Sequence, residues 1–228
     1  MITGGKIMSA KSSKAGSEWI DISVTLHEGM IAFSSEPLLQ LERRRSIARG
    51  HKANNTTIHM SVHSGTHMDA PRHFVADGKT IDQMPFDITL GRARVIEITN
   101  PVSIKAEELA QHNIKRGERI LLKTHNSPKF WQADAISMDY LYITRGAARF
   151  LVEAGVKLVG IDALSVGSPV DPDTTTPDTH QILLGNEIWI IEGLNLTGVN
   201  PGNYNLICLP LKLKDTEGSP VRAIISKL

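Results

Sequence analysis

Residues 63–74 of this chain read HSGTHMDAPRHF. His63 and His67 stand four positions apart, Asp69 follows two later, and His73 four after that. Gly65 lets the backbone turn sharply and Pro71 stops a helix from running on, so the segment reads as a shaped loop. Two imidazoles and a carboxylate on one loop suit a divalent first-row cation, zinc or manganese alike, because both accept nitrogen and oxygen donors. A carboxylate has two oxygens, so Asp69 is able to bridge two ions. His73 has two readings. Left free beside a metal, its imidazole titrates near neutral pH and moves a proton to or from water; otherwise it is a fourth ligand. On spacing alone, a His-rich surface loop without function also stands.

Something has to hold these groups. Residues 56–63, TTIHMSVH, alternate, with Ile58, Met60 and Val62 on one face and His59, Ser61 and His63 on the other. That pattern predicts a strand that delivers His63. Residues 18–26, 92–99, 118–124, 156–162, 187–193 and 204–211 are further strand candidates. Several are continuously apolar, as expected where both faces of a sheet are covered. Residues 103–113 and 144–155 read as helices, the second closed by Gly155. In TTTPDTHQILLG, residues 174–185, Thr176 serves as N-cap, Pro177 opens the helix, Asp178 falls in its first turn and Gly185 stops it. His180 then lies near a helix N-terminus and Glu192 ends the next strand. Both side chains are expected at one end of the sheet, where they complete a second metal site. The pattern gives an α/β or α+β domain with a mixed sheet and flanking helices.

Charge and composition narrow the function. The chain has 228 residues, 25 basic and 24 acidic, for a formal charge of +1. Such balance offers no electrostatic reason for a nucleic acid or an anionic membrane as partner, and no apolar run is long enough to span a bilayer. The single cysteine, Cys208, sits in the apolar run NLICLPL. It reads as a buried small hydrophobe, which excludes an internal disulfide framework and suits a cytoplasmic protein. Residues 1–17 carry no signal-peptide core and read as a flexible tail, leaving residues 18–228 as one domain. GIDALSVGS lacks the G-x-S-x-G nucleophile turn, so Ser165 reads as structural.

HSGTHMDAPRHF, together with KLVGIDALSV, THQILLGNEIWIIEGLNL and LPLKLKDTEGSPVRAII, resembles the cyclase-like metal-dependent hydrolases. Bacterial kynurenine formamidases (arylformamidases) and isatin hydrolases are their best-known members, and the likeness runs from about Ile20 onward. The resemblance implies the swivelling β/α fold of that family and one or two divalent ions, zinc or manganese. It implies His63, His67, Asp69, His180 and Glu192 as ligands, with Asp69 bridging when two ions bind, and His73 as the catalytic acid/base. It also implies hydrolysis of a small aryl amide, N-formylkynurenine to kynurenine and formate in tryptophan catabolism, by a homo-oligomer, dimer or tetramer. A cyclic amide hydrolase and a metal-binding protein without catalysis are the alternatives. The sequence departs from the arylformamidase pattern at one place. Where that pattern has a substrate-contacting tryptophan in a WPGD-like turn, this chain has IAFSSEP. Phe33 takes the tryptophan's position, as an aryl-stacking residue or as plain core.

Overall fold

The computed structural model describes residues 18–32, 39–127, 131, 140–168 and 170–228. The expected tail over residues 1–17 and Phe33, the expected substrate-binding residue, lie outside the described residues. Ten strands are described: β1 Trp19–Asp21, β2 Gln40–Arg45, β3 Asn55–His59, β4 His67–Asp69, β5 Leu90–Glu97, β6 Arg119–Lys123, β7 Leu158–Ile161, β8 Trp189–Glu192, β9 Gly202–Pro210 and β10 Gly218–Lys227. Among the described residues the α-helices are α1 Phe86–Thr89, α2 Ala106–Ala110, α3 Arg145–Ala154 and α4 Thr176–Leu184.

The main sheet has the order β1-β10-β4-β8-β7-β6-β5-β9, and β9 also pairs with β10. That extra pairing closes the sheet on itself, with β1 laid along the outside edge of β10. Strands β5 to β8 pair in parallel; the joins through β4, β9 and β10 are antiparallel. The expected mixed α/β domain is therefore present, as a barrel-like ring. A closed sheet has two faces to cover, and side chains alternate between them. Leu121, Leu158, Trp189, Ile191, Cys208 and Ile225 pack into one core. Ile120, Leu122, Val159, Ile161 and Ile190 pack into the other, with Ala147 and Leu151 of α3 and Leu183 and Leu184 of α4. This two-sided burial is why these strands read as unbroken apolar runs. Cys208 is fully buried, as its setting suggested, and burial pushes its thiol pKa up.

Several elements differ from their sequence reading. The strand expected over residues 56–63 stops at His59 and pairs only with β2, in a separate two-stranded ribbon. Its alternation marks no core, since Ile58 is 55% exposed. His63 is thus delivered by a turn and not by a strand. The stretch read as a loop contains β4, three fully buried residues in the middle of the main sheet. Residues 18–26 keep only the short β1, and residues 103–113 only the short α2. The N-cap of α4 is Thr175, one residue earlier than expected, because its hydroxyl and backbone N–H both reach Asp178 Oδ2, at 2.6 and 3.1 Å. The α3 helix is as read, with the Thr144 side chain accepting the Ala147 N–H and Gly155 in the left-handed region. No helix among the described residues is long and apolar enough to cross a membrane.

One clamp ties the end of β8 to the turn before β4. Thr66 Oγ1 donates to the Gly193 carbonyl at 2.6 Å, and the Gly193 N–H bonds Ala163 O at 2.7 Å. Gly193 has φ +70°, and a Cβ there would sit 2.3 Å from the Gly65 carbonyl oxygen. Gly193→Ala should therefore destabilise the fold by the left-handed strain of about 1–3 kcal/mol plus the cost of relieving that clash. A urea midpoint equal to that of the unmodified chain would show that this approach is not needed.

Candidate metal centre

Strand β4 places two of the loop's groups side by side. Met68 packs into the core that holds Leu121 and Trp189, inside the ring, so His67 and Asp69, one residue either side, face outward toward the helices. Across the antiparallel pairing His67 stands opposite Glu192, and on the other side Asp69 stands opposite Gly218. Helix α4 packs over this outer face and brings His180. The groups converge although more than a hundred residues of sequence separate them. His67 Nε2 lies 3.5 Å from Asp69 Oδ1 and 3.3 Å from Glu192 Oε2. His180 Nε2 lies 3.5 Å from Asp69 Oδ2 and 3.1 Å from Glu192 Oε1. His63 Nδ1 lies 2.9 Å from Asp69 Oδ1. Asp69 thus turns one oxygen to His63 and His67 and the other to His180.

The outer nitrogens of two histidines are fixed by the backbone. His67 Nδ1 is 3.0 Å from Gly65 O, and His180 Nδ1 is 2.7 Å from Thr176 O. An N–H held there leaves the Nε2 lone pair facing the carboxylates, the arrangement a metal-ligating imidazole needs. Glu192 Oε1 accepts the Val166 N–H at 2.6 Å. Asp69 Oδ2 and His63 Nε2 are buried without a hydrogen-bond partner among the described residues. Buried polar atoms are seldom left so, and an orphaned carboxylate oxygen among imidazoles is what a cation would satisfy. The nitrogen and oxygen donor set fits a divalent ion. Candidate donor atoms of His67, Asp69 and Glu192, and likewise of His63, Asp69 and His73, lie within 4.8 Å of one another.

His73 follows Pro71 in a single 3-10 turn. Its half-buried ring stacks on His63, with centroids 4.1 Å apart and planes inclined by 28°, and meets Phe74 and His180 edge-on. All five expected ligands and the expected acid/base are therefore in one place. Glu217, which the sequence reading passed over, also reaches it, with Oε1 3.6 Å from His63 Nε2. Its only sequence signal is its position just before Gly218, in a polar stretch with no periodicity.

Electrostatics follow from the same contacts. Burial opposes a charge on His67, but the hydrogen bond its ring donates to Glu192 and the negative charge of Asp69 outweigh it and raise the pKa to about 9. For His180, burial is likewise overcome by Glu192 and Asp69, and the pKa rises to about 10. Burial also disfavours both carboxylates, yet the imidazoles hold Asp69 well below the usual range and Glu192 at about 2. His73 is the exception. Burial lowers its pKa, and Asp69 only partly opposes that.

Residues 20–168 match the Cyclase family, described as "Putative cyclase". The kynurenine formamidase of Bacillus cereus is 36% identical over 209 residues, which is 92% of this chain and 97% of that protein. A solved structure described as a potential metal-dependent hydrolase with cyclase activity superposes with a TM-score of 0.79 at 30% identity, covering 92% of this chain and 98% of its own. Isatin hydrolase A from Labrenzia aggregata, solved with benzyl benzoate, gives 0.78 at 25% identity, covering 92% of this chain and 93% of its own. The chain belongs to the cyclase family, and its fold is that of these metal-dependent hydrolases.

The raised histidine pKa values make a prediction for the metal-free protein. His67 and His180 bind protons more tightly in the fold than at the ordinary value of 6.5. Their stabilising contribution is thus complete below about 6.5 and is lost as pH rises through about 9 and 10. With a chelator present the melting temperature should fall across that window. Saturating zinc or manganese, which replaces these protons, should flatten the fall. A chelated protein whose melting temperature ignores the window would show that these imidazoles are not charged in the fold.

Proposed function

We propose that this protein is a metal-dependent hydrolase of small aryl amides. It acts as an arylformamidase, cleaving an N-formyl arylamine such as N-formylkynurenine to the free amine, kynurenine, and formate. The observation that carries this reading is the convergence on Asp69, a buried carboxylate with imidazoles on both sides and one oxygen otherwise orphaned. The likeness to kynurenine formamidase over 92% of the chain supports the substrate class. His63, His67, Asp69, His180 and Glu192 would hold one or two divalent ions, zinc or manganese, with Asp69 between two. Such an ion, when bound, polarises a carbonyl and acidifies water enough for attack near neutral pH.

The chain's own residues do the rest. His73 is neutral near pH 7 because burial lowers its pKa. Its imidazole therefore accepts the proton of the attacking water. It returns that proton to the departing nitrogen as the C–N bond breaks, so that formate and the free amine leave. Stacking on His63 and contact with Phe74 fix the plane of the ring during both transfers. Phe33 is read as the platform for the aryl ring, a contact worth about 0.5–1.5 kcal/mol beyond area burial. The likeness to isatin hydrolase A supports a second reading, opening of a cyclic aryl amide, at the lower identity of 25%.

We read the working form as a homo-oligomer, dimer or tetramer. The ribbon of β2 and β3 supports this. Leu41 and Ile58 pair across it and both are exposed, while an isolated two-stranded ribbon is marginal in water. A cytoplasmic location is supported by the lone, buried cysteine.

Metal content and turnover test the roles together. His73→Ala should keep its metal and lose about 10²–10⁴-fold in kcat, the range for a missing general acid/base; Asp69→Ala should lose the metal itself. If His73→Ala also empties the site, His73 is a ligand. Turnover of N-formylkynurenine over isatin by the metal-loaded protein is the expected preference. The reverse preference selects the cyclic-amide reading. Turnover of neither, with metal bound, leaves a metal-binding protein without this activity.

A further inference from the structure

We propose that Glu217 is the positioning residue of His63, accepting the Nε2–H that His63 must carry when its other nitrogen serves a cation. This rests on the metal reading above. His63 turns Nδ1 toward the cluster, 2.9 Å from Asp69 Oδ1. A neutral imidazole has one N–H and one lone pair. If the Nδ1 lone pair goes to a cation, the proton resides on Nε2. That atom is buried without a hydrogen-bond partner among the described residues, and the carboxylate oxygen facing it is Glu217 Oε1, at 3.6 Å. The gap is slightly longer than a hydrogen bond, and a small side-chain rotation closes it.

The other two imidazoles show what is missing. His67 and His180 each hold the outer nitrogen against a backbone carbonyl, Gly65 O and Thr176 O. Among the described residues His63 Nε2 meets no such carbonyl, and Glu217 stands where one would be needed. Its placement is built into the sheet. Gly218 pairs with Asp69, and the Glu217 carbonyl accepts the Ala70 N–H at 2.8 Å. At Gly218 a Cβ would lie 2.9 Å from His63 Cε1, so the bare backbone makes room for the ring while the preceding residue meets its far nitrogen. A carboxylate in this place orients a ligating imidazole and strengthens its basicity. Glu217 is 42% exposed at its side chain, so its charge stays partly hydrated and needs no partner to be tolerated.

The test is metal affinity of the full chain, measured by competition with a chromophoric zinc chelator, for the unmodified protein, Glu217→Ala and Glu217→Gln. Glu217→Ala should weaken zinc binding about 10–100-fold, the range for losing an outer partner of a ligating histidine. Glu217→Gln keeps an acceptor oxygen and should fall between the two. The melting temperature of the chelated proteins should be the same for all three, since a half-exposed side chain is being changed. Glu217→Ala binding zinc as tightly as the unmodified chain overturns the proposal. Equal weakening in both variants also overturns it, because charge and not the hydrogen bond would then be responsible. An unmodified chain that takes up no zinc overturns the metal reading itself, a result distinct from either.

Discussion

Two carboxylates removed from water set the terms for this molecule. Asp69 is 0% exposed and Glu192 4%, and the same imidazoles touch both. The effective penalty for withdrawing an ion from water is several kcal/mol, so the pair persists only if positive charge and hydrogen bonds surround it. The fold supplies these from separate elements: His67 from the same strand as Asp69, His180 from α4, His63 from the turn ahead of β4, and the Val166 N–H from the loop after β7. Without a cation, the imidazoles must carry the charge themselves, which is why two of them hold their protons far above the ordinary histidine value. A divalent ion does the same work with charge concentrated at the donor atoms.

The barrel makes that arrangement rigid. Strand β4 is only three residues long, yet it is hydrogen-bonded on both sides, to β8 and to β10. A slip of one residue would turn Asp69 into the apolar interior, so the register is strongly held. Helix α4 is fixed at its start by the Thr175–Asp178 capping box and by the Arg145–Asp178 ion pair at 2.8 Å. The His180 ring is further tied to Thr176 O and stacked on Phe74, with centroids 4.6 Å apart. The donors are therefore placed before any ligand arrives, which is the condition for a site that binds and reacts without first reorganising.

Much of this was legible in the sequence where chemistry and local pattern agree. The three histidines and the aspartate of the 63–74 segment announce themselves by type and spacing, and His180 and Glu192 by a cap-proline-stop helix followed by an apolar strand. The parallel strands stand out because both their faces are buried. What escaped notice was set by distant partners. His-Met-Asp does not look like a central strand, because its outward residues are polar and are satisfied by each other and not by apolar neighbours. The alternation in residues 56–63 looks like a core strand and is not, because no layer covers Ile58. Closure of the ring through β9 and β10, and with it the approach of Glu217 to His63, depends on pairing between residues far apart in the chain. The α4 cap moved by one residue because Thr175 and Thr176 are equivalent until Asp178 is placed.

If the Asp69–Glu192 cluster is the divalent-cation site proposed above, a cation must sit among its buried donors. Anomalous diffraction from crystals grown with saturating zinc, recorded on both sides of the metal's absorption edge, is the test. An anomalous peak is expected, enclosed by Asp69, Glu192 and the imidazoles of His67 and His180, at bonding distances of roughly 2.0–2.2 Å from their oxygens and nitrogens. A peak elsewhere, or none in this cluster while the dissolved protein binds stoichiometric metal, would contradict it.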